Sequence, residues 1–123
     1  MVRLLVFCAA LFGFTGVALG AFAAHGLKAR LAAEQLATLQ TAVHYQMLHA
    51  LALLAVALLA LYRPQPLLHW AGGFFLLGVL LFSGSLYLMV LAGWKLGIVT
   101  PVGGVSFLLG WGCLAFSALK LAR

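Results

Sequence analysis

Acid is what this sequence most lacks. The chain of 123 residues has no aspartate and a single glutamate, Glu34. Paired-carboxylate general acid–base chemistry, carboxylate-rich metal sites and a Ser/His/Asp arrangement are therefore excluded. Charge of either sign is scarce, at 7% of residues, where soluble domains carry about 25%. Seven Lys and Arg set a formal charge of +6. They are scattered rather than clustered, so they lack the footprint of a nucleic-acid binder, and no nucleic-acid partner is expected. The two cysteines, Cys8 and Cys113, lie in apolar runs, with no CxxC pair and no Cys/His spacing suited to zinc. They read as small buried hydrophobes. No Gly-rich motif ends in Lys followed by Ser or Thr, so a phosphate loop is absent. No catalytic, metal or cofactor residue is assigned, and no cofactor is expected.

What the chain has is hydrocarbon: 67% of its residues are hydrophobic, gathered in long runs. Residues 4–24 form the first, about one hydrocarbon core long at roughly 1.5 Å per helical residue. Arg3 and Ala18-Leu19-Gly20 faintly resemble a signal peptide and its cleavage site, but the run continues apolar past them. His25 to Arg30 end this helix, with Gly26 as its C-cap. The next segment is amphipathic. At about 100° per residue, Ala32, Leu36, Leu39 and Val43 share one face. Glu34, Thr38, Thr41, Tyr45 and His49 share a face nearly opposite. The pattern predicts one long second helix, a span over 41–62 with an amphipathic extension over 32–40 that reaches into the interface.

Arg63-Pro64-Gln65-Pro66 stops that helix. Residues 67–91 form the third run. A short loop, with Trp94 and Lys95 at an interface, leads to Thr100-Pro101. These two predict a helix start, with Thr100 as N-cap and Pro101 at the first helical position. Residues 101–119 are the fourth span. The expectation is an all-α membrane protein: one domain over 1–123, with four transmembrane helices in an up-down bundle. Arg3, Arg63, Lys120 and Arg123 then share one side, and Lys28, Arg30 and Lys95 the other. The bias of basic residues places both termini in the cytoplasm.

Four motifs stand in order along nearly the whole chain. They are Gly20-Ala21-Phe22-Ala23-Ala24-His25-Gly26-Leu27; Tyr45-Gln46 with His49-Ala50-Leu51; Leu81-Phe82-Ser83-Gly84-Ser85-Leu86-Tyr87; and Val99-Thr100-Pro101-Val102-Gly103-Gly104-Val105-Ser106-Phe107 with Gly110-Trp111. The set resembles the YgdD-like family of small bacterial inner-membrane proteins, the domain of unknown function 423. That pattern usually has Gly where Ala23 stands, which loosens close packing there. The resemblance implies a multi-pass inner-membrane protein of uncharacterised activity. It supplies no catalytic or binding residues.

The candidate site is an intramembrane polar cluster: Glu34, Thr41, Tyr45, Gln46, His49, Ser83, Ser85 and Thr100. Gly16, Gly20, Gly84, Gly103, Gly104 and Gly110 are the candidate helix-packing positions. His49 is the deepest histidine. It either bonds to neighbouring helices or marks a proton-linked polar pocket; a metal or haem ligand is the third reading. His44 and His49 point about 140° apart on one helix, so they cannot share a metal. Three functions follow. The first is a non-enzymatic structural or partner-binding protein that self-associates through small-residue faces among membrane lipids. The second is a small transporter or channel with a polar path around His49. The third is a lipid- or quinone-modifying enzyme, which has the least support because acid–base pairs are missing.

Overall fold

In the computed structural model, residues 1–121 are described; Arg123, one of the bases assigned above to the terminal side, lies outside them. Among the described residues, four helices are long and apolar enough to cross a membrane: α1 (Val2–His25), α2 (Ala33–Tyr62), α3 (Pro66–Leu91) and α4 (Val99–Ala118). They run up and down in chain order. Helices α2 and α3 pack on each other, with α1 laid along α2 and α4 along α3.

Each helix buries a narrow stripe and gives the rest to lipid. On α1 the buried residues are Leu5, Ala9, Phe12, Gly16 and Ala23, mostly three or four apart, which keeps them on one face. Phe7, Phe14 and Val17 point outward. One cluster runs from the end where α1 begins toward the middle of the bundle, with Leu5, Ala9 and Phe12 of α1, Leu53, Val56 and Ala57 of α2, Leu68 and Phe75 of α3, and Phe107 of α4. A smaller cluster of Ala23, Leu27 and Leu39, flanked by Tyr87 and Val90, closes the end that holds the α1–α2 connection.

Local chemistry sets the helix ends. α2 begins where Ala32 is extended and its N–H donates to the Gln35 side chain at 3.1 Å. Its 30 residues amount to about 45 Å, so its start projects beyond the hydrocarbon core. Pro66 opens α3 at its first position, where a missing N–H costs nothing. Gly93, with φ of 73°, ends α3 in the left-handed region that glycine tolerates best.

Two features depart from the sequence reading. First, α4 starts at Val99 with Ile98 as its cap, not with Thr100 as N-cap and Pro101 first. Pro101 is third in the helix, still among the first-turn N–H groups that have no helical partner. Thr100 is therefore free to use its hydroxyl elsewhere. Second, α3 is not uniform: Val79–Ser83 is a π-helical turn between two α segments. It lies where α3 crosses α4, with the bare backbone of Gly103 against the backbone of Leu81 and Phe82.

Candidate functional site

The eight polar residues do not form one cluster; they fall into separate junctions around α2. Gln46 makes the largest. Its amide nitrogen donates to the Phe12 carbonyl and to the Thr15 hydroxyl of α1, each at 2.8 Å. Its amide oxygen accepts from the Tyr87 hydroxyl of α3. Gln46 is 3% exposed, and this one side chain ties three helices. The junction needs Gly16: a Cβ there would meet Met47 and stand 3.3 Å from the Gln46 amide nitrogen.

His49, one turn further along α2, faces α4. One ring nitrogen, Nδ1, is 2.8 Å from the Tyr45 carbonyl, and the other, Nε2, accepts from the Trp111 indole N–H at 3.0 Å. A carbonyl can only accept and an indole can only donate. The ring is therefore the neutral tautomer with its proton on Nδ1, and neither nitrogen has a lone pair free for a metal. Its ring stacks on Phe107 at a centroid distance of 3.6 Å, with Phe75 and Trp111 around it. Gly110 makes room for this arrangement, because a Cβ there would enter the Phe75 ring.

The serines bind the π turn. Ser83 donates to the Ala42 carbonyl of α2 at 2.7 Å. Ser85 bonds the Phe82 carbonyl and shares a hydrogen bond with Thr100 of α4. Glu34 and Thr41 lie elsewhere, exposed on the outer side of α2, and Thr41 donates to its own helix at Ala37. Tyr45 is 38% exposed. Among the described residues, the one buried side-chain polar atom without a partner is Gln65 Oε1, at the other end of the bundle. No group of three or more His, Cys, Asp or Glu lies together among them.

The glycines divide as well. Gly16, Gly20, Gly103 and Gly110 each meet a neighbouring helix closely. At Gly84 a Cβ would meet nothing closer than its own helix at 3.9 Å, and at Gly104 only the Phe82 ring edge at 4.0 Å. Sequence reasoning passed over Thr15, Tyr87 and Trp111, and the close approaches at Gly72 and Gly78. Tyr87 and Trp111 carried a signal, since each is a polar-tipped aromatic beside small residues in an apolar run. Thr15 carried none.

Between α2 and α4 the bundle is open. A lateral cleft of about 470 Å³ runs there, with Tyr45 and His49 on one side and Pro101, Gly104 and Trp111 on the other.

The family model described as "Protein of unknown function (DUF423)" matches residues 19–104. The chain is 43% identical over 122 residues to the UPF0382 inner membrane protein YgdD of Escherichia coli K12, covering 98% of this chain and 93% of that protein. It is 47% identical over 112 residues to a UPF0382 membrane protein of Haemophilus influenzae, with 90% of each covered. It is 39% identical to the UPF0382 membrane protein SAB0533 of Staphylococcus aureus over 98% of each. No solved structure matches.

Proposed function

This chain belongs to the DUF423 family of proteins of unknown function, whose relatives are membrane proteins, and we propose that it is a non-enzymatic structural or partner-binding protein of the inner membrane, with both termini in the cytoplasm. One observation carries the reading. The two polar side chains deepest in α2, Gln46 and His49, have every side-chain nitrogen and oxygen engaged, and His49 is held between a carbonyl that can only accept and an indole that can only donate. A transport path or an acid–base site needs intramembrane polar groups free to meet solute or proton; here those groups join helices. The small-residue faces that suggested self-association are mostly spent inside the bundle, at Gly16, Gly20, Gly103 and Gly110. Association would use other lipid-facing surfaces.

Flux in proteoliposomes tests this against the transporter reading. The expected result is proton and solute leakage equal to that of protein-free vesicles, in both the parent chain and His49→Ala. A protein-dependent flux that His49→Ala abolishes would overturn the structural role.

A further inference from the structure

The open cleft between α2 and α4 has a length, a chemistry and an orientation. One face of α4 makes its long wall, with Pro101, Gly104, Leu108 and Trp111 three or four residues apart. From Pro101 to Trp111 is ten residues, about 15 Å at 1.5 Å per residue, or half of the roughly 30 Å hydrocarbon core. Tyr45 and the ring of Phe82 line the rest. Among the described residues no charged side chain lines it, and its volume of about 470 Å³ lies within the range of about 300–1,000 Å³ typical of ligand pockets. At its inner end stands Trp111, held by its bond to His49.

The outer end lies where α4 begins, beside the connection that carries Trp94 and Lys95 and on the same side of the bundle as Lys28 and Arg30. All three bases are exposed, and Glu34 is the only acid there. A partner's transmembrane helix needs a seat along about 20 residues, and the groove offers half of that. A chain from one leaflet needs half, with its headgroup at the interface, where bases attract anionic lipid. We propose that this groove holds one acyl chain of an anionic phospholipid from the leaflet on the α1–α2 loop side. Trp111 meets the chain near its end, and Lys95, Lys28 and Arg30 draw the headgroup to the mouth.

The test uses the full chain carrying Trp70→Phe and Trp94→Phe, so that Trp111 alone fluoresces. It is reconstituted in phosphatidylcholine vesicles doped with a small fraction of phosphatidylglycerol brominated along its chains. The expected result is Trp111 quenching several-fold above that given by the same fraction of brominated phosphatidylcholine. Filling the groove with Gly104→Leu should remove the excess, while Gly73→Leu, at an open position on α3, should keep it. Val105→Phe, on the groove wall, is the second filling variant should Gly104→Leu not fold. Equal quenching by both lipids overturns the proposal, and so does an excess that survives filling. Trp111 shielded from both lipids overturns it too, because a second copy or a partner helix then covers the groove.

Discussion

At the scale of single residues, Gln46 and His49 decide how the bundle closes, and they differ in how they hold. Gln46 joins α1, α2 and α3 through hydrogen bonds alone. Such bonds between membrane helices average about 0.6 kcal/mol and reach about 1.7 kcal/mol. A double-mutant cycle of Gln46→Leu with Tyr87→Phe, read by unfolding in detergent, should give a coupling in that range, since the two side chains touch. A coupling of zero would mean that the junction contributes nothing. The face of α2 that does this work was only half visible in the sequence. Periodicity picked out Glu34, Thr38, Thr41, Tyr45 and His49 as a polar stripe. The buried face instead runs through Leu39, Ala42, Gln46, Leu53 and Val56, with His49 at its edge. At about 100° per residue, its centre is roughly 80° around the helix from that stripe. Helix packing took the sector between the polar stripe and the apolar one. A single helix wheel has no means of showing where two neighbours will sit.

At the scale of the helices, small residues set how closely backbones approach, and they are not equivalent. A Cβ at Gly103 would collide with the backbone nitrogen of Phe82 in the π turn, which cannot swing aside as a side chain can. A Cβ at Gly84 would meet no neighbouring helix. Gly103→Ala should therefore cost about 1–3 kcal/mol of unfolding free energy in detergent, the range for overpacking. Gly84→Ala should fall within about 0.5 kcal/mol of the parent, as open-surface changes do. Comparable losses at both would show that glycine acts here through backbone flexibility and not through space. The sequence announced the helices themselves, because 67% hydrophobic residues and prolines at 64 and 66 leave few other ways to cut the chain. It did not announce the π turn. Residues 79–83 are four hydrophobes and a serine, ordinary α-helix formers in lipid. The extra residue is held by the bond of Ser83 to Ala42 and by Gly103 against Phe82, partners 41 and 21 positions away in the numbering.

At the scale of the whole molecule, charge decides which way the bundle is inserted, and here few charges decide it. Arg3, Arg63, Lys120 and Arg123 oppose Lys28, Arg30 and Lys95, four against three. Basic residues close to the span ends are held in the cytoplasm, and acidic ones contribute little, so Glu34 does not alter the balance. The proposed orientation then predicts that green fluorescent protein fused after Arg123 fluoresces and that alkaline phosphatase fused there is inactive. Because the margin is one charge, it should be easy to erase. Arg3→Gln with Arg63→Gln leaves two bases on the terminal side against three on the other, and part of the population should then insert inverted, giving phosphatase activity at the C-terminus. Neutralising Lys28 and Arg30 instead should strengthen the original orientation. It should also weaken the attraction of anionic lipid to the mouth of the α2–α4 groove, because the same bases would serve both purposes. An active phosphatase fusion on the parent chain would reverse the assignment of sides and place the groove in the cytoplasmic leaflet, where anionic lipid gives its surface a negative potential.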